Sequence, residues 1–215
     1  MLILGTNAYN PTIMNNATSG GGSDIPTELG SRIDNKATVV GVLQDHEGND
    51  YVLAVVDAAY RSGEGMGWGE YDVDTPLQNN DKTAALADHH TGKYNTDLIL
   101  STYTATNYPA FNFARNACTV TIGSNTYYSV LPNLIELQML YNNKNSLDQY
   151  DPTATTYTDR TMSGFTCGGD YGLWSSAEMN SEVAWFIYNT GNVVNYYKSN
   201  SRFSGVCPVI CIPLS

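Results

Sequence analysis

Two apolar runs mark the first elements. ATVVGVLQ (Ala37–Gln44) and YVLAVVDA (Tyr51–Ala58) are rich in β-branched residues and flank the turn-rich hexapeptide DHEGND. Run, turn and run predict a β-hairpin. The pattern then breaks. RSGEGMGWGEYDVDTPLQNNDKT (Arg61–Thr83) is dense in Gly, Asp and Asn, and reads as a long irregular loop around a buried Trp68. A loop of that length is functional or tied down by packing.

Helical spacing follows. In NYPAFNFARNACT, Ala110, Phe113, Ala114 and Ala117 recur at intervals of three and four, and Pro109 stands in the first turn, where its missing N–H costs little. In LPNLIELQMLYNN, Asn133 and Glu136 have capping-box spacing, and Leu134, Leu137, Leu140 and Tyr141 form an apolar stripe. This second helix should end near Asn142–Lys144. A polar loop, Ser146–Arg160, leads back to strand patterns: AWFIY, NVVNYY and VCPVICI, the first two joined by the hairpin turn NTGN. The expected class is α+β, with two helices and an antiparallel C-terminal sheet.

The N-terminal end behaves differently. LILGTNAYNPTIM carries apolar residues but leads into the Gly/Ser-rich stretch NNATSGGGSDIPTELG. Residues 1–36 therefore read as an arm or linker that docks on its own domain, a neighbouring subunit or a larger assembly, and residues 37–215 as one domain. The first ten residues lack the basic start and apolar core of a secretory signal, and no apolar run is long enough to span a bilayer.

Composition narrows the function. The chain of 215 residues is 42% hydrophobic, enough for a packed core, but only 14% charged, so Asn, Thr, Ser, Gly and Tyr must cover much of its surface. Tyrosines number 16 against 5 phenylalanines. Tyr combines a large apolar ring with a polar tip and loses few torsions on ordering, which suits recognition surfaces and half-buried strands alike. A net charge of −11 argues against nucleic acid or an anionic membrane as the partner.

Candidate chemistry is sparse. Asp88, His89 and His90 lack a third metal ligand at helical or strand spacing. Asp72, Asp74 and Asp81 invite calcium, without EF-hand spacing. No nucleophile elbow, zinc-protease helix or phosphate loop occurs. Cys207 and Cys211 on a strand would lie about 13 Å apart, at about 3.3 Å per residue, beyond disulfide reach. They read as small buried residues. No cofactor and no catalytic activity are expected.

In order, VGVLQDHEGNDYVLAVVDA, WGEYD, GKYNTDLI, YPAFNFARNAC, LPNLIELQMLYNNK and GLWSSAEMNSEVAWFIYNTGNVVNYYKSNSRF resemble the DUF1566-type domains. The matching segments run from Thr38 to Ile212. The resemblance implies a C-type-lectin-like fold, of the kind shared by formylglycine-generating enzymes and the variable proteins of diversity-generating retroelements. The enzyme branch uses a reactive C-terminal cysteine pair, which the CPVIC context of Cys207 and Cys211 does not match. The variable proteins carry an Asn/Tyr/Ser-rich patch near the C-terminus, because mutation at adenines scatters Asn codons. They include phage receptor-binding proteins and binders displayed on bacterial surfaces.

That resemblance implies a ligand-binding patch of Met179, Asn180, Glu182, Phe186, Tyr188, Asn189, Asn195, Tyr196, Tyr197, Ser199, Asn200, Arg202 and Phe203. Strand alternation assigns Trp185 and Ile187 to the core and Phe186 and Tyr188 to the outside, with Val193 inward and Val194, Tyr196 and the Lys198 region shared between surface and rim. The expected partner is a protein or glycan receptor on a cell surface, and the expected setting a phage virion or bacterial surface. A structural virion or pilus subunit, assembling through the arm, is the alternative, and a formylglycine-generating-type oxidase a second one.

Overall fold

The hairpin forms at the two β-branched runs. In the computed structural model, which describes residues 25–62, 64–147, 172–188, 190–201 and 204–214, β2 (Ala37–Gln44) pairs antiparallel with β3 (Asp50–Val56). The Asp45 carboxylate closes the turn by accepting from the backbone N–H of Glu47 and Asn49, both at 2.9 Å. A strand forms within the stretch that the sequence assigns to the arm. A short β1 (Arg32–Ile33) pairs with β2, and Arg32 donates two hydrogen bonds of 2.6 Å to the Asp57 carboxylate. Two residues are too few to show a pattern, so only pairing reveals this strand. The arm's residues 1–24 lie outside the described residues.

Among the described residues four α-helices follow. α1 (Lys82–Leu86) and α2 (Gly92–Thr102) were not expected. Their caps were local and readable: Asp81 accepts from Ala84 N–H at 2.8 Å and Thr91 from Tyr94 N–H at 3.0 Å. α3 (Pro109–Ala117) starts at the expected proline. A small hairpin, β4 (Thr119–Ile122) with β5 (Asn125–Tyr128), precedes α4 (Leu134–Leu147). The capping box of α4 is formed: Asn133 Oδ1 accepts from Glu136 N–H, and Glu136 Oε2 from Asn133 N–H, each at 2.8 Å. α4 runs to Leu147, past the expected stop at 142–144.

The C-terminal strands do not form one sheet. β6 (Gly172–Glu178), β7 (Val183–Tyr188) and β8 (Val193–Tyr197) are antiparallel neighbours, and the two-residue β9 (Ser204–Gly205) adds parallel to β6. The last strand, β10 (Val209–Pro213), leaves them and pairs with β3. The two main sheets are therefore β1-β2-β3-β10 and β8-β7-β6-β9.

The central strands of both sheets are buried on both faces. Val40, Leu53 and Val55 of the first meet α4 and Leu173, Trp185 and Ile187 of the second in one cluster. Val39, Val52 and Ala54 pack on the other side with Val120 and Ile210. Behind the second sheet, Trp174, Ala184 and Phe186 pack on Trp68, Tyr108 and Phe111. Burial on two faces explains why these strands are continuous apolar runs rather than alternations. The molecule is α+β. Among the described residues no helix is long and apolar enough to cross a membrane.

Candidate functional site

The second sheet and the long loop are fastened together by backbone bonds. The β6–β7 register shifts between Trp174, opposite Phe186, and Glu178, opposite Ala184. The serines between them satisfy the irregular backbone and its surroundings. Ser175 Oγ donates to Trp185 O at 2.8 Å and accepts from Ala177 N–H at 3.2 Å, while Ser176 Oγ accepts from Asn95 Nδ2 at 2.9 Å. All three tryptophans then cross from sheet to loop. Trp68 Nε1 donates to Ser175 O at 2.7 Å, Trp174 Nε1 to Met66 O at 2.7 Å, and Trp185 Nε1 to Asn79 O at 2.8 Å. The loop of residues 66–80 is irregular in conformation but fixed in place.

An ion pair lies under it. Lys198, expected near the rim, is 0% exposed. Its Nζ donates to Glu178 Oε1 at 2.5 Å and to Val73 O at 2.6 Å, and lies 5.2 Å from the centre of the Trp68 ring. Glu178 also accepts from Thr75, through the backbone N–H at 2.8 Å and through the hydroxyl. Burial pushes the Glu178 carboxyl upward, and the ammonium and the Thr75 donors oppose that push. The lysine is covered because the chain leaving β8 passes beneath the loop, which alternation along the strand could not reveal. Trp68 N–H donates to Lys198 O at 2.8 Å and completes the attachment.

The expected patch divides on this frame. Phe186 is a core residue, 2% exposed, with Trp174 at 5.6 Å, Tyr188 at 4.9 Å and Tyr196 at 5.9 Å between ring centres. Its outward assignment is corrected: the aromatic cluster behind the sheet covers the face that alternation assigns to solvent. Met179, Asn180, Tyr188, Tyr196 and Asn200 are half-buried. Asn180 serves the turn, its Oδ1 accepting from Glu182 N–H at 2.9 Å and Val183 N–H at 3.0 Å. Glu182, Asn195, Tyr197 and Ser199 are exposed. Asn189, Arg202 and Phe203 lie outside the described residues.

The loop adds a residue that the sequence reading did not place in the patch. Tyr71 is 44% exposed, Tyr197 is 53% exposed, and their ring centres are 6.3 Å apart. Partial desolvation, and then the nearby Glu182 carboxylate, raise the Tyr71 pKa above the ordinary tyrosine value. Asp72 has the left-handed φ of 65° and is fixed by its N–H donating to Ser181 O at 2.9 Å. Only the density of acids and aromatics in WGEYDVD hinted at such a role.

The other candidates fall elsewhere. His90 stacks on His46 at 4.2 Å and takes Asp88 at 2.7 Å, while His89 faces Gln44 O at 3.3 Å. Among the described residues no group of three His, Cys, Asp or Glu side chains is arranged to hold a metal. Asp81 caps α1, and Asp72 and Asp74 are exposed on the loop. Cys118, Cys207 and Cys211 are unbridged and buried, whereas Cys167 lies outside the described residues. Burial pushes the Cys207 thiol up to about 11, and burial with the Glu136 carboxylate holds Cys211 well above its usual range. Neither is poised as a thiolate nucleophile. No family model, curated protein or solved structure matches the chain.

Proposed function

We propose that the chain is a ligand- or receptor-binding protein of C-type-lectin-like architecture, without catalytic activity. Its variable-type surface would comprise Glu182, Asn195, Tyr197, Ser199 and the neighbouring Tyr71. The observation that carries the reading is the separation of roles along β8 and the turn that follows it. Lys198 sits in the buried network, while Asn195, Tyr197 and Ser199 beside it point to solvent. Such a segment can change its outer residues while its inner ones keep the backbone rigid, which lowers the ordering cost of binding. The setting that goes with this reading is a phage virion or a bacterial surface, with diversification by a retroelement. The burial of Cys207 and Cys211, which raises both thiols, weighs against the oxidase reading.

The test is a display library randomised at Glu182, Asn195, Tyr197 and Ser199. Most members should fold, and selection on unrelated protein targets should yield binders. A library that is mostly unfolded, or folded but empty of binders, overturns the proposal. A second library at Trp174, Phe186 and Lys198 should be mostly unfolded.

A further inference from the structure

We propose that the partner meets this face through a cationic segment of polypeptide, a Lys- or Arg-rich stretch laid across the Tyr71–Tyr197 pair. The inference rests on the binding reading above and names the chemistry of the ligand. Two observations meet here. The first is a pair of exposed aromatic rings 6.3 Å apart on a fastened frame. Ring faces attract ammonium and guanidinium groups, most usefully where the rings are already held in place.

The second is the charge around the rings. Glu70, Asp72, Asp74 and Glu182 are all exposed; Glu70 and Asp72 flank Tyr71 in the chain, and the Glu182 carboxylate is near enough to act on its hydroxyl. Among the described residues of the loop 66–80 and the stretch 193–201, Lys198 is the one cation, and its charge faces Glu178 in the interior. The outer face thus presents negative charge with no exposed cation of its own on these two segments. An anionic partner would be repelled, and a neutral glycan would leave the carboxylates without counter-charge. A compact metal ion fits poorly, because among the described residues no three of these acids converge, and Glu70 already accepts from Asn107 Nδ2 at 3.3 Å. A basic polypeptide can supply separate cations to separate acids and still cover both rings.

The experiment pans a random peptide library against the full chain and against its Tyr71→Ala/Tyr197→Ala variant. Both side chains are exposed, so equal melting temperatures show that the variant is folded. Enrichment of Lys/Arg-rich peptides by the wild type, lost on the double variant, is the expected result. Glu182→Gln should then weaken an enriched basic peptide about three- to tenfold, and added salt should weaken it further. Enrichment of neutral or acidic peptides that also depends on the two tyrosines overturns the cationic partner and leaves the binding face intact. Absence of any peptide sensitive to the double variant overturns both.

Discussion

Two buried carboxylates organise this molecule in opposite ways. Glu136 has only neutral donors: Tyr51 hydroxyl at 2.8 Å, Asn133 N–H at 2.8 Å, Gly92 N–H at 3.1 Å and the Cys211 thiol at 3.4 Å. It joins regular elements, holding the starts of α2 and α4 against β3 and β10. Gly92 must be small there, since a Cβ would come within 2.4 Å of Leu131 O. Glu178 instead faces a buried ammonium and joins a sheet to a loop without regular structure. Helices and strands supply hydrogen-bond partners to their own backbones, so a neutral hub suffices between them. An irregular loop leaves its carbonyls unpaired, and Lys198, reaching both Glu178 and Val73 O, answers both needs.

Breaking the charged hub should have the largest effect. Lys198→Ala leaves Glu178 buried without a counter-ion and should cost about 3–5 kcal/mol of stability, read by chemical denaturation. The paired change Lys198→Met with Glu178→Leu should recover much of that loss, because removing both charges removes the desolvation penalty. If the single and double variants are equally unstable, the pair is not the fastening.

Phe186→Ala should also cost about 3–5 kcal/mol, the range for a large buried aromatic. A change within about 0.5 kcal/mol, the usual size for a surface site, would put the residue back outside.

The neutral hub predicts a pH effect. Burial, with no cation beside it, raises the Glu136 carboxyl above 4.5 in the folded state, although its donors oppose the shift. Both states hold the proton at pH values well below 4.5, and the stabilisation from this group is then fully present. As pH rises, the unfolded chain ionises first, so the stabilisation is lost up to the folded pKa. The slope approaches about 1.4 kcal/mol per pH unit for one proton. Wild type minus Glu136→Gln, compared by denaturation across that window, should show this falling slope. A difference that is flat or rises with pH contradicts it.

Smaller effects follow at the periphery of each hub. Asn133→Ala removes the cap on α4 and should cost about 1 kcal/mol. Tyr197→Ser and Asn195→Ser, next to Lys198 but on the outer surface, should change stability by no more than about 0.5 kcal/mol. A larger loss at either would mean that the outer face is part of the scaffold.

Much of this was legible where the signal is local. The hairpin turn at Asp45, the proline of α3 and the capping box at Asn133 and Glu136 each involve residues within four positions of one another. The unbroken apolar run Val183–Ile187 was itself a sign of two-sided burial, and Phe186 belongs with it. The expected inward positions of Trp185, Ile187 and Val193 agree with their burial in the structure.

What local patterns cannot carry is the identity of the element packed across. Tyr71 and Tyr197 are 126 positions apart, and Lys198 meets Val73 only because a loop from the first half of the chain lies over β8. Likewise β10 joins β3 instead of its nearest strands in sequence, since its partner is chosen by which sheet edge the chain reaches. By itself the sequence determined the caps, turns and apolar runs, because steric and hydrogen-bond preferences act between near neighbours. Tertiary structure decided which charge is buried, which ring is exposed and which strands are neighbours, because burial depends on surfaces brought together from distant parts of the chain.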